Sequence, residues 1–317
     1  MSLTCAETTR DADEPIAGTA PMALGWLLVE RDGAWGRDAL TESGLDPEVG
    51  AALAAGCKPL SAKAVVIRRP GPRATIADGH DEPRTVVLAH TGSQPWAERL
   101  TIRDDRELLE LDPIVTTRAR PPGLGEPLGG PLLLVCTHGK RDRCCATFGR
   151  PLVDTLAALH PDETWEVSHI GGHRFAGNLL VLPEGLAYGG LDVASGMAAA
   201  ASHLAGKLGL EHLRGRTALQ RASQAAEIAV RRRYGIDRIG GVEVLARQGA
   251  SSPDAGDIDR DTDHITVDVE GARVVVEVVR RAIGPRRLSC DADEPEEPHA
   301  YVVVDIGPVD GTTRATA

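Results

Sequence analysis

Two short stretches hold most of the reactive side chains: CTHGKRDRCC, with Cys136 and Cys145 ten positions apart inclusive, and SHIGGH, with His169 and His173 around a glycine pair. Cys136 ends the apolar run GGPLLLVC, at the kind of strand end where α/β sheets present functional groups. The residues after it are polar and charged and read as a loop. Cys145 falls where the next helix begins. His169 follows the strand-like TWEVS, and His173 comes directly behind Gly171 and Gly172. If the two strands are neighbours in a parallel pair, all four side chains converge at one end of a sheet as C-x8-C and H-x3-H. The glycines let the loop curl tightly and leave room for something bulky.

Two thiols and two imidazoles suit zinc, but structural zinc sites space a cysteine pair by two to four residues. A spacing of eight fits a wider object held by four ligands, such as a [2Fe–2S] rhombus. CTH also matches the C-x-H box of a Rieske centre. That fold needs a second Cys-x-x-His box, whereas Cys145 is followed by Ala146, Thr147 and Phe148, so His138 reads as a flanking residue. Two thiolates and two neutral imidazoles leave an oxidised cluster near neutral, which places its potential above that of four-thiolate ferredoxins. Each ligating imidazole keeps a ring nitrogen that can titrate, which couples electron transfer to proton transfer. Lys140, Arg141 and Arg174 surround the set with positive charge, to stabilise the reduced state or dock an acidic redox partner. Asp142 is placed to anchor the loop, by pairing with Arg141 or by accepting a hydrogen bond, and Gly171 and Gly172 to offer backbone N–H groups. Cys144 stands next to Cys145 as a potential substitute. A thiol oxidoreductase built on that adjacent pair lacks C-x-x-C geometry. The alternative from another class is a zinc-stabilised Cys2His2 interaction domain without redox chemistry.

The elements that must carry these residues follow from hydrophobic pattern and caps. GWLLVE reads as a buried strand, and DPEVGAALAAGCK as a helix with Asp46 as cap and Pro47 in its first turn. AKAVVIRR, RTVVLAH and ERLTIRD follow as strands, then the short helical turn RELLELD. The order β-α-β-β-β-α recurs with GGPLLLVC, ATFGRPLVDTLAALH, TWEVSH, GNLLVLP, LAYGGL and the Ala-rich DVASGMAAAASHLAGKLGL, capped by Asp192. A helix between two strands, then a hairpin and a closing helix, is what a thioredoxin-like sheet gives. The sequence therefore reads as an α/β protein of tandem thioredoxin-like domains: residues 1–120 without cluster ligands, 121–212 carrying them, and 213–317 as a small C-terminal α+β appendage. In that appendage RTALQRASQAAEIAVRRRYG is a helix, with VRRRYG on a solvated face. GGVEVLARQ, HITVDVE, ARVVVEVVRR and YVVVDI are strands, and Glu270-Gly271 turns the middle pair. The acidic loops GASSPDAGDIDRDTD and CDADEPEEPHA lie between them, and no catalytic motif is visible there.

Composition narrows the function. The 317 residues are 42% hydrophobic and 26% charged, with 3% aromatics, so Val, Leu, Ile and Ala must build the core. A net charge of −11 argues against nucleic acid, whose phosphates need clustered Lys and Arg. No run approaches the roughly 20 apolar residues of a membrane span, and the polar start MSLTCAETTRDADEP lacks the apolar core of a secretory signal. The expected compartment is the cytoplasm, where the six cysteines are reduced thiols or metal ligands. Cys57, alone at a helix end, reads as structural.

CTHGKRDRCCATFGRP followed by SHIGGHRFAGNLLVLPEGLAYG, with the earlier GTAPMALGWLLVE and GAWG, resembles the sucrase/ferredoxin-like family of thioredoxin-like ferredoxins over about Cys5 to Leu191. The resemblance implies a [2Fe–2S] cluster held by two cysteines and two histidines outside a Rieske fold. Carried over by motif, with the second cysteine counted from Asp142, the ligands are Cys136, Cys145, His169 and His173. It further implies an electron carrier with redox donor and acceptor proteins still to be identified. The word sucrase implies glycoside hydrolysis, which needs two carboxylates flanking a sugar, and no motif places such a pair.

Overall fold

Every residue of Leu132–Cys136 is buried, as expected of a strand covered on both faces. It lies near the middle of the computed structural model, which describes residues 3–71, 83–249 and 261–309. The first part of the chain forms α1 (Cys5–Asp11), β1 (Gly25–Glu30), α2 (Ala39–Glu42), α3 (Pro47–Cys57), β2 (Ala62–Arg68), β3 (Arg84–His90), β4 (Trp96–Ile102) and β5 (Glu126–Pro127). The second forms β6 (Leu132–Cys136), α4 (Arg143–Leu159), β7 (Thr164–Val167), β8 (Leu179–Leu182), β9 (Leu186–Tyr188), α5 (Val193–Leu204) and β10 (Leu213–Arg216). Expected caps are in place: Asp46 accepts from the Glu48 N–H, and Asp192 from the Ser195 N–H. The sequence reading missed α1, although Thr4 and Glu7 close a reciprocal capping box there.

These strands form one ten-stranded sheet in the order β10-β9-β8-β6-β7-β2-β1-β3-β4-β5. Read outward from its middle, β2-β1-β3-β4-β5 repeats as β7-β6-β8-β9-β10. In each half one parallel pair, β1–β2 or β6–β7, is extended by antiparallel strands. The halves meet antiparallel at β2–β7, where Ile67 faces Val167 and Arg68 faces Glu166. The repeated order thus lies in one continuous sheet. Its halves differ where the closing helix belongs: α5 fills that place in the second, while the first has 3-10 turns at Asp105–Glu110 and Pro113–Thr117. Arg68 pairs with Glu166 at 2.6 Å in the buried seam between halves.

The rest is a second, antiparallel sheet, β11 (Val242–Gly249), β12 (Thr262–Val269), β13 (Ala272–Ala282) and β14 (His299–Pro308), in sequence order. Glu270 (φ 52°) and Gly271 (φ 92°) make its tight turn. Helix α6 (Arg221–Tyr234) packs on this sheet and on β10, which joins the two layers. The solvated face expected for VRRRYG is only partly found. Arg232 and Arg233 are exposed, but Arg231 is fully buried against Glu227 at 2.8 Å, because its position faces the β11 side of the helix. Most of the first acidic loop, 250–260, lies outside the described residues. No helix among the described residues is long and apolar enough to cross a membrane.

Candidate metal centre

Strands β6 and β7 are parallel neighbours, with Cys136 opposite Val167, so Cys136 and His169 leave the sheet at the same end. Helix α4 starts beneath Asp142, whose carboxylate accepts from the Cys144 N–H at 2.9 Å, and this puts Cys145 in the first turn. Gly149 lets α4 cross close over the end of β6, since a Cβ there would run into the Cys136 carbonyl oxygen. The two sulfurs and one His169 ring nitrogen consequently lie within 4.8 Å of one another. Cys145 Sγ is 3.9 Å from His169 Nδ1. His173 opens a 3-10 turn and brings its Nδ1 to 3.4 Å from His169 Nε2. The thiols are buried and the imidazoles half-buried.

The Cys145 thiol donates to Cys136 and holds Cys136 well below the ordinary thiol range against burial, with His169 assisting. The same bond and burial push Cys145 up. Burial lowers His173, the neighbouring His169 lowers it further, and Asp142 opposes both. A thiolate beside a neutral imidazole is the protonation state that metal coordination needs.

His138 is a positioning residue. Its Nδ1 accepts from the His169 backbone N–H at 3.2 Å, and its Nε2 lies 2.9 Å from the Gly36 carbonyl oxygen. Only the neutral tautomer with hydrogen on Nε2 satisfies both, in line with a titration that burial lowers. Lys140 and Arg141 are exposed, and Arg141 lines a groove of about 220 Å³ with His138 and His169. Arg174 was expected to contribute free positive charge; instead it donates twice to Glu14, at 2.9 and 2.7 Å, and is neutralised.

In the glycine pair the carbonyls are tied to neighbouring side chains. Gly171 O accepts from Arg214 Nη1 at 3.0 Å, and Gly172 O from Asn178 Nδ2 at 3.0 Å. Gly172 has φ 75°, and a Cβ there would collide with the Arg214 guanidinium. Arg214, in β10, was not anticipated as part of the site. It is fully buried and also donates to Asn178 Oδ1 at 2.7 Å and to Thr19. Among the described residues no carboxylate pairs with it. Burial, aided by Arg174 and Arg221, lowers it to about 9 while Cys136 and Cys145 pull the other way, so it remains a cation at neutral pH. The sequence signal was a charged residue inside a short strand, LRGR.

A second group of thiols lies beside the first. Cys5, Cys144 and Cys290 bring their sulfurs to 3.5, 3.3 and 3.6 Å from one another. Successive residues on a helix diverge by about 100°, so Cys145 faces Cys136 while Cys144 faces this trio. Asp142 sits between the two groups. It accepts from the Cys290 N–H at 2.8 Å and Ser289 Oγ at 3.0 Å, and stands 3.7 Å from His173 Nε2. This replaces the expected Arg141 pairing with the hydrogen-bonded alternative. Burial raises its carboxyl, but the Cys290 and Cys144 N–H groups and His173 outweigh that and lower it overall. The Cys5 thiol bonds to Cys144 and, with the Ala6 N–H, brings Cys144 down to about 6 against burial. Cys5 is pushed up by the same bond and by burial. The C-terminal region, where no motif was legible, thus supplies Cys290 to a cluster of three thiols. Its partners lie up to 285 positions away, so no spacing pattern announces it. Cys57 stands apart from both groups and is raised to about 11 by burial.

The family model described as sucrase/ferredoxin-like matches residues 16–214. Among curated proteins, the chain is similar to altered inheritance of mitochondria protein 32 of Eremothecium gossypii, 48% identical over 59 residues, which is 18% of this chain and 19% of that protein. The protein of the same name from Kluyveromyces lactis is 41% identical over 56 residues, 17% of each chain. The one from Candida glabrata is 40% identical over 53 residues, 16% of this chain and 17% of the relative. The chain therefore matches less than a fifth of the length of these relatives. No solved structure matches it.

Proposed function

The chain belongs to the sucrase/ferredoxin-like family, and from that premise we propose that it is an electron-transfer protein binding a [2Fe–2S] cluster through Cys136, Cys145, His169 and His173. The reading rests on one observation above all. Two thiols and an imidazole, from two parallel strand ends and a helix start, lie within 4.8 Å of one another, with a second imidazole 3.4 Å beyond. The donor set fits the group: soft sulfurs buried in an apolar sheet end, and half-buried imidazoles beside them. When bound, the cluster supplies reversible one-electron chemistry.

The protein's own residues govern how that chemistry is used. Cys136 and Cys145 anchor from the buried side. His138 fixes the His169 backbone, and Asp142 faces the outer edge of His173, where a proton can be exchanged. The buried Arg214 cation favours an electron-rich centre and so the reduced state. Exposed Lys140 and Arg141, beside the groove that reaches His169, form a docking face for an acidic redox donor or acceptor protein. The recurring strand order supports tandem thioredoxin-like units at 1–120 and 121–212, the second carrying the ligands, and 213–317 as an appendage. A reducing compartment such as the cytoplasm belongs to this reading, since the ligands must be free thiols.

Zinc is the competing occupant, because three donor atoms within 4.8 Å also suit a single ion. Anaerobic reconstitution with iron and sulfide separates the two. A red-brown protein that bleaches with dithionite, and whose colour is lost in Cys136→Ser, supports the cluster. A colourless protein after reconstitution, holding zinc that Cys136→Ser removes, overturns it.

A further inference from the structure

Outside the proposed cluster ligands, the two ends and the middle of the chain meet at three sulfurs. Cys5 comes from α1, Cys144 from the first turn of α4, and Cys290 from the segment between β13 and β14. Their separations of 3.5, 3.3 and 3.6 Å make a nearly equilateral triangle. Thiolates on a tetrahedral zinc, with Zn–S about 2.3 Å, stand about 3.8 Å apart, so the triangle needs to open only by a few tenths of an ångström. A disulfide at about 2.05 Å would demand a far larger contraction and would leave the third sulfur unmatched.

The Asp142 carboxylate completes the group. Its oxygens are 3.9 and 4.0 Å from Cys5 Sγ, and one of them lies with all three sulfurs inside a 4.8 Å span. The Asp142 side chain is 0% exposed, and its ion-pair neighbour among the described residues is His173 at 3.7 Å. The exposed Arg143 guanidinium bonds to the Cys290 thiol and lends the group positive charge from its solvent side. But no Lys or Arg among the described residues forms an ion pair with the buried carboxylate, and a cation among the three sulfurs would neutralise it directly. The backbone and Ser289 hydrogen bonds orient that carboxylate without supplying charge.

We propose that Cys5, Cys144, Cys290 and Asp142 are a second metal site, for a thiophilic divalent ion of which zinc is the commonest. With all four positions taken by protein it is a closed, structural site. Three thiolates and a carboxylate around a divalent ion give the same net charge as a four-cysteine zinc site. Binding releases the thiol protons to solvent and needs no oxidant. The ion ties α1 and the segment carrying Cys290 to the start of α4, one residue from Cys145. This site stands whether or not the first centre holds a cluster.

Metal analysis of the full chain, purified reduced from zinc-supplemented medium, tests it. One zinc per chain is expected, retained in the Cys136→Ser/Cys145→Ser double variant and lost in Cys5→Ser and in Cys290→Ser. In case either single variant fails to fold, cobalt(II) is titrated into the reduced metal-free double variant. The expected result is tetrahedral visible bands with intense sulfur-to-cobalt absorption, saturating near one equivalent and abolished by zinc. Zinc that is lost from the double variant but kept by Cys5→Ser and Cys290→Ser belongs to the first centre and overturns the proposal. So does a reduced chain that yields neither zinc nor cobalt bands. A chain that loses two of these three thiols to a disulfide, with no metal bound, overturns it as well.

Discussion

Alanine at position 172 probes what holds the two proposed histidine ligands together. Gly172 has φ 75°, and a Cβ built there stands 2.8 Å from Arg214 Cζ and closer still to Nη2. Gly206 has the same φ of 75°, and its Cβ would meet nothing within 4 Å. Gly206→Ala therefore reports the left-handed backbone penalty alone, about 1–2 kcal/mol. Gly172→Ala adds the displacement of a fully buried guanidinium. Losing one or two of its charge-assisted hydrogen bonds costs about 1.5–3 kcal/mol each. The expected total for Gly172→Ala is about 2.5–8 kcal/mol. Urea unfolding of the metal-free chain measures both variants, and iron and sulfide content after reconstitution shows whether the loop still presents His169 and His173. Gly206→Ala should retain full content and Gly172→Ala should lose most of it. Equal destabilisation of the two variants, with full iron and sulfide in both, refutes the idea that Arg214 and the glycine pair form one packed unit under the centre.

Three other outcomes are expected. His169→Cys or His173→Cys should keep a cluster but lower its potential and weaken its pH dependence, because a titratable neutral ligand becomes a thiolate; unchanged voltammetry in both variants would remove these residues from the centre. Glu227→Gln should cost about 3–5 kcal/mol, since Glu227 is 2% exposed between Arg216 and Arg231 at 2.8 Å each. Burial raises the Glu227 carboxyl, but the two guanidinium groups prevail and lower it. Its contribution is then full above the ordinary carboxylate value of about 4.3 and fades as pH falls through the lower folded value, so the variant should show a shallower acid-side slope in urea midpoint against pH. His138 and His173 are both lowered by burial. The unfolded chain therefore takes up protons first, and the metal-free protein should weaken as pH falls below about 6.5; a urea midpoint that is flat from about pH 7.5 to about pH 5.5 contradicts neutral, buried imidazoles.

How much was legible depended on whether the signal was local. The strand before Cys136, the caps at Asp46 and Asp192 and the turn at Glu270-Gly271 are each written in a few adjacent residues, and each element formed where its pattern placed it. C-x8-C and H-x3-H were readable because β6 and β7 are joined by a single helix and lie parallel. Arg214 escaped notice because its burial depends on Thr19 and Asn178, far away in sequence. The joining of the two five-strand runs into one sheet depends on a single antiparallel seam, β2 on β7, that no local pattern encodes. The thiol trio was invisible for the same reason, since its members lie 139 to 285 positions apart in the chain.

The adjacent cysteines show how one helix start can serve two sites with opposite electrostatic needs. Around Cys145 the unpartnered buried charge is Arg214, a cation, which favours negative charge on whatever the first centre holds. Around Cys144 the buried charge is Asp142, an anion that faces His173 at 3.7 Å and favours a cation among the three sulfurs. The angular step of about 100° between neighbouring helical residues keeps these fields apart although the two residues share a peptide bond. Asp142 caps the helix through the Cys144 N–H at 2.9 Å and also faces His173 at 3.7 Å. A divalent ion in the trio would draw the carboxylate's charge away from His173 and so weaken its hold on an imidazolium there. Occupancy of the second site should thereby lower the proton affinity of the outer histidine.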